Sequence, residues 1–250
     1  MSNFSFDFFA MSETGSLETR VDTMTSFMKQ YGILESFDCK EAVLANYIGN
    51  VFTNYYNNPY HNSVHAMDVA NSVNYMLKCG VLQTWDFPQF EINSLLMAAF
   101  THDLGHPGVN NMFLQEMKSG ESIIYNDQSI LENLHSALSF KLLAKPNSNY
   151  VENISREDYK KFRKFVINLI IGTDLSQHIA LFSKFKNTVE AEEFSFDHED
   201  NRLLFCSILI KASDIGHGAK VLNIHKRFSR MIIEEFYAQV TFFIIKKGIT

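Results

Sequence analysis

The chain has 250 residues, of which 46% are hydrophobic and 20% charged, with a formal net charge of −6. That length supports one sizeable buried core, and the acidic balance leaves no basic stripe for a polyanionic backbone, so one globular domain that does not bind nucleic acid is expected. Cys39, Cys79 and Cys206 form no CxxC pair, the first basic residue is Arg20, and no apolar run approaches the ~20 residues of a membrane span. A reducing, cytoplasmic location without a secretory signal or membrane span is therefore predicted.

Only four prolines and eleven glycines punctuate the chain. Apolar residues recur at helical spacing, as in Leu131, Leu134, Leu138 and Leu142, which predicts an all-α domain. Residues 18–57 read as two or three amphipathic helices. A loop through Asn57, Asn58 and Pro59 then leads into a helix bearing His61, His65 and Asp68 on one face. A second helix, about Ile92 to Thr101, carries His102 and Asp103 at its end, where Gly105 and Pro107 stop it. Asp127 or Ser129 is placed to cap a helix running to Leu143 and bearing Glu132 and His135. Residues 145–155 form a loop, and helix 156–172 ends just before Thr173 and Asp174. Residues 186–200 are an acidic, solvated connection. Helix 201–213 then delivers Asp214, and a last helix from about Val221 carries Glu234 and Glu235.

The chemistry is concentrated in His61-Asn-Ser-Val-His65-Ala-Met-Asp68 and His102-Asp103-Leu-Gly-His106-Pro107, which hold four of the nine histidines. Ligands brought from several helices to one point suggest a metal site. Neutral imidazoles suit a borderline metal such as zinc, and the Asp103 carboxylate can bridge two cations. An acid beside ligand histidines orients them as often as it binds metal, which leaves Asp68 and Asp174 as possible supporting residues. His135, His178, His198 and His225 fall in no motif and read as ordinary core or surface residues. The 23 phenylalanines are core material.

Taken in order, Tyr60-His61-Asn62-Ser63-Val64-His65-Ala66-Met67-Asp68-Val69, His102-Asp103-Leu104-Gly105-His106-Pro107-Gly108, Leu131-Glu132-Asn133, Thr173-Asp174 and Ile210-Lys211-Ala212-Ser213-Asp214-Ile215 resemble the class I 3′,5′-cyclic nucleotide phosphodiesterases. The resemblance covers about residues 6–239 and implies a compact multi-helix HD-type metal phosphohydrolase domain. It implies His65, His102, Asp103 and Asp214 as ligands of a zinc ion, with Asp103 bridging to magnesium or manganese. His106, Glu132 and Thr173 would hold the second cation's water shell. His61 matches the proposed general acid and Glu235 the carboxylate that orients it, while Tyr60 and His217 would line the substrate pocket. Such a pair of cations lowers the pKa of a shared water to roughly 7, and a histidine suits protonation of the leaving 3′ oxygen. The implied partner is a small cyclic nucleotide, and a homodimer is compatible with this reading.

Three departures qualify the resemblance. Gly216-His217-Gly218 stands where the family usually has Ser or Thr, then Asn or His, then Pro, and the glycines loosen that loop. Leu134 replaces the first of two histidines. After Gln239 the sequence leaves the family pattern, so residues 1–239 are expected to be a catalytic domain incomplete at its C-terminal side and 240–250 a divergent tail. The missing part would carry the residues that read the base, which leaves cyclic AMP and cyclic GMP undistinguished. Two other readings stay open: a catalytically impaired regulatory remnant that keeps the metal site, and an HD-type phosphohydrolase of another phosphate ester.

Overall fold

A computed structural model describes residues 3–82 and 85–247. Among these, 13 α-helices follow one another: α1 Phe8–Thr14, α2 Leu17–Lys29, α3 Ile33–Ser36, α4 Glu41–Asn54, α5 Ser63–Met76, α6 Gln89–Thr101, α7 Asn111–Glu116, α8 Gly120–Ile124, α9 Ile130–Leu143, α10 Arg156–Ile171, α11 His178–Glu190, α12 Glu199–Asp214 and α13 Leu222–Lys247. A π-helical turn, Leu77–Val81, extends α5. The described residues contain no strand, so the all-α expectation holds.

Two helices have almost no solvent face. Helix α5 buries every residue from Val64 to Asn74, and α6 every residue from Ile92 to Thr101. A helix enclosed on all sides occupies the middle of a bundle. Ala66, Ala70, Ala98 and Ala99, all fully buried, supply small side chains on this pair. Helices α5 and α6 pack on each other, with α10 against α6 and α12 against α5, while α4 pairs with α2 and α9 with α10. Arg202 in α12 donates two 2.8 Å bonds to the Glu91 carboxylate in α6. Paired bonds between charged groups fix geometry and are worth ~1.5–3 kcal/mol each. His65 therefore sits on one of these enclosed helices, and His102 and Asp103 follow the end of the other.

Three helix boundaries bear on the site, and the first two differ from expectation. His61 lies before α5, because Asn62 caps that helix, its Oδ1 accepting from the backbone N–H groups of Val64 and His65 at 2.8 and 3.4 Å. His61, His65 and Asp68 therefore do not share one helix face. Residues 186–190 continue α11 rather than forming a connection. An aromatic seam joins that helix to its neighbours, with Phe185 5.7 Å from Phe194 and Phe196 5.1 Å from Phe205, ring centre to ring centre. Lastly, α13 runs unbroken past Gln239 to Lys247, exposing Val240, Phe242, Ile244 and Ile245. No single helix among the described residues is long and apolar enough to cross a membrane.

Candidate metal and catalytic centre

The His102–Gly108 turn leaves the end of α6 and requires two residues in left-handed backbone. Gly105 has φ +74° and Gly108 φ +77°. At that φ a side chain would be strained, and a Cβ on Gly105 would also lie 2.4 Å from the Leu138 Cδ1 methyl, which would have to shift. The turn also bonds to the α5 approach, since Asn58 Nδ2 donates to the His106 carbonyl at 2.6 Å and to the His61 carbonyl at 2.9 Å. These bonds bring residues 58–65 and 102–108 to one place.

Four side chains from three helices meet there. His65 Nε2 lies 3.0 Å from Asp214 Oδ1 and 3.4 Å from Asp103 Oδ2, and His102 Nε2 lies 3.0 Å from Asp103 Oδ2 and 3.3 Å from Asp214 Oδ1. Their potential ligand atoms all fall within 4.8 Å of one another. His102 Nδ1–H donates to the Ala99 carbonyl at 2.9 Å, which directs the Nε2 lone pair inward. Asp103 Oδ2 is buried and receives no hydrogen bond. An orphaned buried carboxylate oxygen beside two imidazole nitrogens fits a divalent cation.

The electrostatics support the same fit. Burial disfavours charge on His65 and His102, yet the carboxylates of Asp103 and Asp214 outweigh it and raise both histidines above the usual range. Burial also opposes ionisation of Asp103 and Asp214, but His102 and His65 hold both well below it. A cation bound there would compete with protons for the same nitrogen and oxygen atoms.

A second group flanks the quartet. His61 Nδ1 bonds to Glu235 Oε1, while Glu235 Oε2 accepts the backbone N–H groups of Tyr60 and His61 at 2.9 and 3.0 Å. Glu235 is 3% exposed. Burial alone would raise its carboxyl, but these bonds, that of His61 foremost, hold it below the ordinary value. The His61 ring stacks on His106 at 3.9 Å and 12°. Burial, reinforced by His61, depresses His106, which accepts the Gly108 N–H at Nδ1, 3.0 Å away, and so carries its proton on Nε2.

Glu132 and Thr173 approach from α9 and the end of α10. Burial pushes the Glu132 carboxyl up to about 7, against a 3.0 Å bond from Asn111 Nδ2. Thr173 Oγ1–H is bound to the Ile170 carbonyl at 2.7 Å, leaving its oxygen lone pairs to accept. The Tyr60 ring lies 4.6 Å from that of His65, and His217 lies 6.0 Å from Tyr60. Asp68 turns to Lys220 Nζ at 3.0 Å. Asp174 accepts Ser129 Oγ–H at 2.7 Å and the Ser176 N–H at 2.8 Å, so it organises the turn after α10. Ser129 thus occupies the N-cap position of α9 without capping it by side chain.

Three further residues of this region escape a reading by motif. His135 donates Nδ1–H to the Leu104 carbonyl at 2.8 Å and places Nε2 3.7 Å from Asp103 Oδ1. Burial lowers it to about 4, which keeps the ring neutral. Its i, i+3 spacing from Glu132 was the available signal, since both share a helix face. Lys211, one turn before Asp214, is buried and donates to the carbonyls of Gly172, Thr173 and Asp174 at 3.1, 3.0 and 2.9 Å. His225 faces His217, Nδ1 to Nδ1 at 3.1 Å.

Comparison with known proteins agrees with this geometry. The sequence model of the 3′5′-cyclic nucleotide phosphodiesterase family matches residues 60–242. A probable 3′,5′-cyclic-AMP phosphodiesterase of Caenorhabditis elegans is 31% identical over 239 residues, covering 93% of this chain and 35% of that protein. A dual 3′,5′-cyclic-AMP and -GMP phosphodiesterase of Plasmodium falciparum is 34% identical over 199 residues, covering 79% of this chain and 17% of that protein. The phosphodiesterase domain of a rhodopsin fusion protein from Salpingoeca rosetta superposes with a TM-score of 0.90 at 29% identity, over 99% of this chain and 76% of that one. LmjPDEB1 in complex with IBMX gives 0.91 at 28%, over 100% and 75%. The chain belongs to the 3′,5′-cyclic nucleotide phosphodiesterase family. It spans about a third or less of the length of these curated relatives.

Proposed function

We propose that the chain hydrolyses a 3′,5′-cyclic nucleotide to the 5′-monophosphate. The observation that carries this reading is the His61–Glu235 pair, held beside a quartet of two imidazoles and two carboxylates. In this reading His65, His102, Asp103 and Asp214 hold Zn²⁺, and Asp103 also serves Mg²⁺ or Mn²⁺, whose water shell His106, Glu132 and Thr173 hold. When bound, such cations supply a water acidic enough to attack at neutral pH and neutralise phosphoryl charge.

The chain's own residues handle the leaving group. Hydrolysis breaks the P–O3′ bond, and the departing oxygen needs a proton. His61 has Nδ1 engaged by Glu235, which leaves Nε2 to deliver that proton. Glu235 keeps the ring oriented, and is itself fixed by two backbone N–H groups. His106 stays neutral against the His61 face, so it does not repel the proton. Tyr60 and His217 line the approach. The intact quartet and the His61–Glu235 pair favour hydrolysis over an impaired remnant.

The test is turnover of cyclic AMP and cyclic GMP by the purified chain with zinc and magnesium, beside His61→Ala and Asp103→Ala. Both substrates are needed, because the relatives are named for cyclic AMP alone and for both nucleotides. Turnover that either substitution abolishes supports the proposal. Faster turnover of a non-cyclic phosphate ester would replace it with a different hydrolase.

A further inference from the structure

The turn after Asp214 has little to hold it from within. Its sequence is Gly216-His217-Gly218-Ala219, and a Cβ on Gly218 would meet nothing within 4 Å. Yet it carries His217, whose ring lies among Tyr60, His225 and Phe228 and feels the charges of His65 and Asp214. Its order comes from outside. Lys220, which ends the turn, is 6% exposed and donates to the Phe4 carbonyl at 2.7 Å and Ser72 Oγ at 2.8 Å, with Asp68 Oδ1 at 3.0 Å. Two hydrogen bonds and one carboxylate charge thereby compensate the buried ammonium.

Residues 3–5 complete the enclosure. The Phe4 ring sits 4.3 Å from Lys220 Nζ and packs on the turn, where a Cβ on Gly216 would be 3.8 Å from it. Asn71 Nδ2 donates to the Asn3 carbonyl at 2.9 Å, and the Val221 N–H donates to Ser5 Oγ at 3.1 Å. The segment thus bridges α5, about two turns beyond His65, to the turn beyond Asp214. The buried ammonium of Lys220 thus ties residue 4 to α5 and to the turn.

We infer that Phe4 and Lys220 are positioning residues for substrate binding, which strap the glycine-flanked turn so that His217 faces the nucleotide site. They touch no reacting atom and act through His217. The kinetic part of this inference rests on the hydrolytic reading above.

Phe4→Ala removes the ring while leaving the Lys220–Asp68 pair. We expect KM for the cyclic nucleotide to rise several-fold with kcat within about twofold and zinc content unchanged. Adding Gly218→Ala, which meets no atom and narrows the turn's freedom by about 0.4–1 kcal/mol, should recover roughly two- to fivefold of the lost affinity. Independently of turnover, the His217 imidazole resonances, assigned with His217→Gln, should broaden or double in Phe4→Ala and sharpen again in the double variant. Unchanged His217 signals in a folded Phe4→Ala protein would overturn the inference whether or not a cyclic nucleotide is hydrolysed. So would equal loss of kcat and kcat/KM that Gly218→Ala fails to reverse. Absence of turnover in the unsubstituted chain, with His217 responding as expected, would instead refute only the hydrolytic reading.

Discussion

Glu235→Gln isolates the role of one carboxylate. The amide keeps the shape of the side chain, but one of its two ends now presents N–H donors. Glu235 Oε2 accepts two backbone N–H groups and Oε1 meets His61 Nδ1, so all three incoming groups are donors when His61 is protonated. An amide has only one accepting oxygen. If it satisfies Tyr60 and His61 N–H, its NH₂ faces His61 Nδ1 and can bond only to the neutral ring. Losing a hydrogen bond between charged groups costs about 1.5–3 kcal/mol, which at 1.36 kcal/mol per decade is about 10- to 100-fold in rate. At pH 7.5 kcat should therefore fall by about that factor with KM little changed. Stopped-time assays at pH 7.5, with the melting temperature measured on the same samples, provide the test. A kcat within twofold of the parent would show that Glu235 does not support His61 in catalysis.

Asp214→Asn should leave a folded protein whose zinc content, read by elemental analysis after gel filtration, falls to near zero, because the quartet loses one of its two charges. His135 gives a pH prediction: unfolded, the ring takes a proton near pH 6.5, but burial lowers it to about 4 in the fold. The unfolded state then binds the extra proton between those values, so this group's contribution to stability is present above about 6.5 and is lost as pH falls towards 4. His135→Asn should flatten that limb of stability against pH, measured by urea unfolding of metal-free protein. Lys211→Met should leave three carbonyls at the end of α10 without their donor and destabilise the fold by roughly 2–4 kcal/mol, with weakened Mn²⁺ binding by paramagnetic resonance as a separate readout. Finally, zinc added to chelated protein at 1,000 times Kd should stabilise the fold by about 4 kcal/mol, read as a raised melting temperature, and release protons into a weak buffer.

The quartet was legible through the ordered motifs of the family resemblance, because metal chemistry restricts residue type as well as spacing. Spacing alone grouped His61 with His65 and Asp68, and the Asn62 cap separates His61 from that helix. The central helices were legible for a similar reason, since runs such as Leu95-Leu96-Met97-Ala98-Ala99-Phe100 have only one place to go. Asp68 shows where spacing misleads. It lies three residues beyond His65, as a shared face requires, yet Lys220, 152 positions later in the chain, takes its carboxylate. Lys211 and Lys220 could not be recognised locally either, for a buried lysine is defined by carbonyls that other segments deliver. Helix α11 was hidden by its weak burial, as none of its residues is fully enclosed and its acidic end resembles a loop. Glu235 illustrates a third case. Nothing in its own helix separates it from Glu234, which is exposed, and only the approach of Tyr60 and His61 does so.

The most direct test of hydrolysis at this site is to run the reaction in ¹⁸O-labelled water with zinc and magnesium present and follow the product by ³¹P NMR. Attack by water at phosphorus with loss of the 3′ oxygen should give the nucleoside 5′-monophosphate carrying one ¹⁸O on phosphorus, and Asp214→Ala should abolish it. A 3′-monophosphate, label outside the phosphate, or no turnover by a folded, metal-loaded chain would contradict the proposed chemistry.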